Sequence, residues 1–280
     1  MPVYINGIAT LVPESSYPQD FIRDFMIEHV SDDRMTRLIL RRIYNQSGIE
    51  KRHTVIDEMD KAPGDRTFFD EIGGRLHMPG TQKRNDLYIR KAREMYPELA
   101  GKTIAASPGF ETADITHVIT VSCTGFYAPG PDFNIVKALG LPLSTQRYHI
   151  GFMGCYAVFP ALKMAQAFCE ADPGTVVLVV SLELCTLHLQ LSKETDFLLS
   201  GSLFADGGGG AIISNHLPEN PRHALQISAM SGSLAMEGES DMAWTVGDKG
   251  FNMVLSSYIP DLLKSNIIGA IDPLLTETGL

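Results

Sequence analysis

A single cysteine stands directly behind a glycine in Gly151-Phe152-Met153-Gly154-Cys155-Tyr156-Ala157. Upstream, Tyr148 to Met153 reads as extended; downstream, Ala157, Ala161, Leu162, Ala165 and Cys169 recur at helical spacing. This pattern predicts Cys155 at the first turn of a helix, where unpaired N–H groups and the positive end of the macrodipole favour a thiolate. The missing Cβ of Gly154 would let a substrate approach the backbone. The chemistry expected is that of a nucleophile. The same local pattern also fits a buried, inert cysteine, and the flanking segments have to decide.

Two further segments read as parts of the same pocket. Val121-Ser122-Cys123-Thr124-Gly125-Phe126-Tyr127-Ala128-Pro129-Gly130-Pro131-Asp132 follows the β-branched run Thr116 to Val121, and Leu203-Phe204-Ala205-Asp206 leads into Gly207-Gly208-Gly209-Gly210-Ala211-Ile212-Ile213-Ser214. Between Cys155 and the second of these lies Glu183-Leu184-Cys185-Thr186-Leu187-His188-Leu189-Gln190. In this order and spacing the motifs resemble the type III polyketide synthases, the chalcone-synthase-like homodimers of the thiolase fold. The resemblance runs from about residue 3 to the last residue. It implies an α/β thiolase-like fold of αβαβα layers with duplicated halves, here as a first half over 1–217 carrying the nucleophile and the beginning of a second over 218–280.

What the resemblance implies is carried one position at a time. Cys155 matches the nucleophile that takes a starter acyl group from CoA and then holds the growing polyketide. Phe204 matches the aromatic gatekeeper between the CoA tunnel and the cavity. Phe251, in Gly250-Phe251-Asn252-Met253, matches a second phenylalanine that shapes the product. Cys123 falls where a cavity-lining residue is expected. Arg42 matches one of the basic residues near the CoA phosphates; two others of that set are Ile39 and Gln46 here, with Arg37, Arg41 and Lys51 as substitutes. The implied reaction is decarboxylative Claisen condensation of an acyl-CoA starter with malonyl-CoA. Small residues such as Ala128 and Ala157, with the Glu183 to Gln190 segment, hint at long acyl starters and alkylpyrone or alkylresorcinol products.

The chain departs from the family after Phe251. The His-Pro-Gly-Gly motif and the later asparagine, which would pair with the thiolate and hold the malonyl-derived enolate, do not occur. None of the eight histidines (His29, His53, His77, His117, His149, His188, His216, His223) has a matching context. The expectation is therefore the larger part of a synthase, ending early at Leu280. Two other readings stay open: a β-ketoacyl-carrier-protein synthase III of the same fold, which the Cys123 to Gly130 and Glu183 to Gln190 motifs fit poorly, and a non-catalytic binding or assembly subunit.

Composition agrees with a globular enzyme. With 280 residues, 44% hydrophobic and 20% charged, the chain can bury a sizeable core. Net charge of −10 argues against general nucleic-acid binding, so an anionic ligand needs a local basic patch. The candidate is Arg34-Met35-Thr36-Arg37-Leu38-Ile39-Leu40-Arg41-Arg42, followed by Lys51-Arg52; a solvated helix face would look the same. Cys123, Cys155, Cys169 and Cys185 show neither C-x-x-C pairing nor metal-ligand spacing. No cofactor or metal is expected, acyl-CoA and malonyl-CoA being substrates. No signal peptide or membrane-length apolar run is visible, and a cytoplasmic homodimer is expected.

The elements that must position these residues alternate. Val3 to Ile8, Thr116 to Val121, Thr175 to Ser181, Ala211 to Ser214 and Leu225 to Met230 read as strands; Gln19 to His29 and Asp33 to Ile43 read as helices. Val55 to Arg84 reads as loop, Leu87 to Met95 and Glu111 to Ile115 as flanking another helical region, Pro218 to Pro221 as a break, and Asn252 to Ser265 as a helix. The glycine run at Gly207 to Gly210 lacks a phosphate-loop context, so tight sheet packing is its better account. His188 and Glu183 could form an acid/base couple, but their apolar segment favours a structural or cavity-lining role. Trp244 is expected in the core or pocket wall.

Overall fold

In the computed structural model, which describes residues 1–30, 33–73, 75–217, 224–239, 241–256 and 258–279, the β-branched runs become the middle of one sheet. The strands are β1 (Val3–Leu11), β2 (Ser16–Pro18), β3 (Lys51–His53), β4 (Asp70–Ile72), β5 (Arg75–His77), β6 (His117–Ser122), β7 (Gln146–Gly151), β8 (Val176–Leu184), β9 (Asp206–Ser214), β10 (Leu225–Ile227), β11 (Met242–Gly247) and β12 (Gly250–Leu255). The helices are α1 (Gln19–Val30), α2 (Arg34–Gln46), α3 (Thr81–Ala105), α4 (Pro131–Leu139), α5 (Val158–Ala171), α6 (Thr195–Leu203) and α7 (Ile259–Thr278). The Pro218 to Pro221 break and His223 lie outside the described residues.

The main sheet has the order β10-β1-β9-β8-β6-β7, with β6, β7 and β8 parallel and the rest antiparallel. Its two faces are told apart by period-2 alternation. Val118, Leu178, Val180 and Leu182 face a core built with α3, whereas Ile119, Val121, Val177 and Val179 face one built with Ala161, Ala165 and Cys169 of α5. The result is a mixed α/β unit with helices on both sides of the sheet. The glycines of β9 explain how α3 lies so close. A Cβ on Gly208 would sit 2.8 Å from Leu99 Cδ2 and 2.7 Å from the Ser181 carbonyl, and one on Gly210 would collide with Thr103.

Three expectations change. The stretch Leu87 to Met95 lies inside a 25-residue helix, α3, which already starts at Thr81, and Glu111 to Ile115 holds only a single 3-10 turn. Asn252 to Leu255 is strand, because Trp244 pairs with Met253 and Thr245 with Asn252 in the β11–β12 hairpin; the helix begins at Ile259. Cys155 lies in the turn before α5, whose first residue is Val158.

Candidate active site

Parallel β6 and β7 end together, with Ser122 opposite Gly151, so Cys123 and Phe152 emerge side by side. Strand β8 runs parallel to β6 and delivers Glu183 and Cys185 to the same edge; antiparallel β9 starts there too, with Asp206 opposite Leu184. The chemistry-bearing residues are therefore gathered by topology at the carboxyl ends of parallel strands, where open α/β sheets bind their ligands.

The chain turns sharply between β7 and α5. Phe152 has φ +58°, in the left-handed region that a bulky side chain avoids, and Gly154 has φ +84°. The turn is held by Cys123: the Gly154 N–H donates to Cys123 Sγ at 3.3 Å, and the Cys123 thiol donates to the Gly154 carbonyl at 3.7 Å. Strain of this kind persists only where the surroundings over-determine it. Cys155 is presented at the surface beyond this turn, while Cys123 and Cys169 are buried.

Glu183 sits behind the turn. It accepts hydrogen bonds from the Cys123 N–H at 2.8 Å, the Thr124 hydroxyl at 2.7 Å and the Ser122 hydroxyl at 3.3 Å. Burial nevertheless pushes its carboxyl up to about 7. The surrounding protein raises the Cys155 thiol above its ordinary range, and the Glu183 charge raises it further. The expected thiolate at a helix start is thus not favoured here: the helix begins past Cys155, and the neighbouring charge has the wrong sign.

His188 is buried and fully engaged. Its Nε2–H donates to the Thr124 carbonyl at 2.7 Å, and its Nδ1 accepts the Phe251 N–H at 3.0 Å. Burial, with the Arg84 charge adding to it, pulls its pKa down to about 4, so the ring is neutral. It forms no couple with Glu183, whose partners are Ser122, Cys123 and Thr124. Phe251 stacks on His188 at 3.9 Å and meets Phe152 at 5.4 Å and Trp244 at 5.6 Å. Trp244 in turn donates to the Cys123 carbonyl at 2.8 Å. The hairpin therefore caps the site and links it to the Cys155 turn.

A cavity of about 40 Å³ adjoins this cluster. Its walls include Cys185, His188, Phe204, Trp244 and Met253, and also Arg52. Phe204 is half-buried at the end of α6. Neither Ala128 nor Ala157 lines it; Ala157 is buried against α5. Arg42 is exposed on α2 and donates to Gln46 at 3.4 Å, away from this wall. Arg52 leaves the basic patch altogether: it is 5% exposed and held by the carbonyls of Gly201 and Phe204. Cys155, Cys123, Phe251 and His188 are thus brought together, Phe204 joins through the cavity, and Arg42 stays apart.

A model of the N-terminal domain of chalcone and stilbene synthases matches residues 4–216. The chain belongs to the chalcone and stilbene synthase family, the type III polyketide synthases. It is 28% identical over 278 residues to the alpha-pyrone synthesis polyketide synthase-like Pks18 of Mycobacterium tuberculosis, covering 99% of this chain and 68% of that protein. It is also 28% identical over 282 residues to the probable polyketide synthase 1 of Dictyostelium discoideum, of which it spans 8%. Among solved structures, the type III polyketide synthase domain of Steely1 from Dictyostelium superposes with a TM-score of 0.85 at 26% identity, covering 99% of this chain and 74% of that one. The 1,3,6,8-tetrahydroxynaphthalene synthase of Streptomyces coelicolor A3(2) gives 0.76 at 25% identity, covering 98% and 73%. The fold of this family member is thiolase-like.

Proposed function

We propose that Cys155 carries the acyl chain in a type III polyketide synthase reaction. The observation that carries this reading is the strained turn: Phe152 at φ +58° and Gly154 at φ +84° present an exposed cysteine at the carboxyl ends of parallel strands. The Cys155 thiolate attacks the thioester carbonyl of an acyl-CoA, and CoA leaves as its thiolate. Malonyl-CoA then loses CO2, and the enolate carbon attacks the Cys155 thioester and expels the cysteine. Phe204 gates the cavity, Phe251 holds the cap, and Cys123 sets the turn. Arg42, exposed on α2 with Arg41, meets the CoA phosphates. Long acyl starters and alkylpyrone or alkylresorcinol products belong to this reading, and the similarity to an alpha-pyrone synthesis polyketide synthase-like protein supports its pyrone part. The chemistry needs no resident cofactor. The reading includes a homodimer and a cytoplasmic setting, as in the family resemblance; among the described residues no helix is long and apolar enough to cross a membrane.

The histidine that lines the cavity has both nitrogens engaged and cannot act as base or enolate donor. His188 is therefore assigned neither role, and acylation of Cys155 can be tested by itself. Intact-mass analysis after incubation with decanoyl-CoA should show one acyl adduct, mapped to Cys155 and lost in Cys155→Ala. No adduct at pH 8–9, or an adduct on Cys185, would overturn the assignment. Release of labelled CO2 from malonyl-CoA at enzymatic rates would show that extension has its own donors here.

A further inference from the structure

The outer face of α2 carries a pattern of its own. Thr36, Leu40 and Tyr44, four residues apart, form the buried inner face, and the Tyr44 hydroxyl ties the helix down by donating to the Gly201 carbonyl at 2.7 Å. On the other side Met35, Leu38, Ile39 and Arg42 stand at i, i+3, i+4 and i+7 and so form one ridge. Its three apolar side chains are 64%, 49% and 38% exposed. Arg34 and Arg41, also exposed, lie one turn to either side of Leu38. The helix holds no acidic residue, although the whole chain has a net charge of −10. The Asp33 carboxylate at its start accepts the N–H groups of Met35 and Thr36, and Asp24 of α1, whose charge reaches Arg41, is already paired with Arg23 at 2.8 Å.

We infer that this face of α2 seats the protein on an anionic phospholipid surface, with Met35, Leu38 and Ile39 entering the boundary between headgroups and acyl chains and Arg34, Arg41 and Arg42 donating to headgroup phosphates. An apolar ridge rimmed by guanidinium groups has the amphipathic form of an interfacial helix, in which the arginine stems lie on the apolar surface and their heads reach the phosphates. The ridge projects from the outside of a helix, so it enters a fluid layer more readily than it encloses a peptide. A layer of mobile phosphates also supplies an acceptor wherever an arginine points, whereas a folded acidic partner needs carboxylates already placed. The acidic remainder of the chain is repelled by the same surface, which leaves α2 as the side of approach. Phosphate is the chemistry shared with CoA, to which Arg41 and Arg42 are assigned above; the exposed apolar ridge is what favours the lipid. The inference does not depend on the reading of Cys155.

The test sediments the full chain with vesicles of phosphatidylcholine alone and of equimolar phosphatidylcholine and phosphatidylglycerol. Each arginine near an anionic surface strengthens attachment about fivefold, so three should favour the mixed vesicles by on the order of a hundredfold, and high salt should remove most of that preference. Leu38→Ser should weaken attachment to the mixed vesicles about tenfold, the loss of one apolar side chain from the boundary. The same variant should leave the affinity for soluble CoA unchanged. Met35→Ser, at a second exposed position, repeats the test if Leu38→Ser lowers stability in urea. Equal attachment to both kinds of vesicle would overturn the inference. Attachment that both serine variants leave unaltered would also overturn it and would assign the arginines to soluble phosphates alone. No vesicle attachment, with retention on polyglutamate that Leu38→Ser weakens, would overturn it in favour of an acidic protein.

Discussion

Acidification should weaken the cap through His188, and the size of the effect follows from its surroundings. Its Nδ1 accepts the Phe251 N–H, so a proton there breaks the bond that docks the hairpin and places a charge beneath the Phe251 ring, 3.9 Å away. The folded pKa of about 4 lies below the ordinary 6.5. Between these values the unfolded chain binds the extra proton and the folded chain does not. Stability from the neutral ring is thus fully present above pH 6.5 and is lost as pH falls toward 4. The interval is worth about 3 kcal/mol at about 1.4 kcal/mol per pH unit. Glu183 and Asp206 act in the opposite sense. Their carboxyls are raised to about 7 and about 6, so both bind protons more readily in the folded chain and strengthen it as pH falls toward their unfolded values. The unaltered chain alone would show only the sum. His188→Gln removes the titration and keeps a donor for the Thr124 carbonyl, at a pH-independent cost of about 1–3 kcal/mol for the unpaired Phe251 N–H. Urea unfolding of both chains from pH 8 to pH 4 reads the difference. The advantage of the unaltered chain should shrink by about 3 kcal/mol over that range. Parallel curves with a constant offset would refute the reasoning, because they would mean that His188 titrates alike in both states.

Iodoacetamide should label Cys155 ahead of buried Cys123 and Cys169 and of enclosed Cys185, at a rate that climbs steadily from pH 7 to pH 9 because the thiol is held above its ordinary range. Glu183→Gln should move that profile to lower pH; an unmoved profile would show that the Glu183 charge does not reach the thiol. Phe251→Ala should cost about 3–5 kcal/mol in thermal or urea unfolding, as truncation of a fully buried ring does. Phe204→Ala, at a half-buried position, should cost clearly less and instead change which acyl chains load onto Cys155; equal stability losses would refute the separation of the two roles.

The parts of the fold legible in the sequence were those set by local pattern. Thr116 to Val121 and Thr175 to Ser181 are continuous β-branched runs because both faces of β6 and β8 are covered, and the glycine run reads as close packing because α3 lies on it. Asn252 to Leu255 reads as the start of a helix although a hairpin signal precedes it: Trp244-Thr245-Val246 leads into Gly247-Asp248-Lys249-Gly250, and the structure puts Gly250 at φ +107°. Arg52 passed for a surface cation beside Lys51. Its burial is decided by the carbonyls of Gly201 and Phe204, 149 and 152 residues away, which no spacing rule reaches. Glu183 was visible only as a charge in an apolar segment; its role depends on Ser122, Cys123 and Thr124, which strand pairing brings beneath it.

The site separates placing a thiol from activating it. Placement is over-determined: the strained Phe152 is held against Phe251, Gly154 is clasped by Cys123, and the Cys123 N–H is fixed by Glu183. The group that completes this placement, Glu183, is also the one whose charge disfavours the thiolate. Removing it would lower the thiol pKa but release the backbone that aims the thiol, so the two effects oppose each other in any single substitution. If Cys155 is the acyl carrier proposed above, it is an aimed thiol whose reactivity rises with a compensating positive charge or with pH. Its orientation is already fixed by residues that lie at the ends of β6, β7 and β8. On the proposed reading, geometry selects the thiol and electrostatics sets how fast it would react.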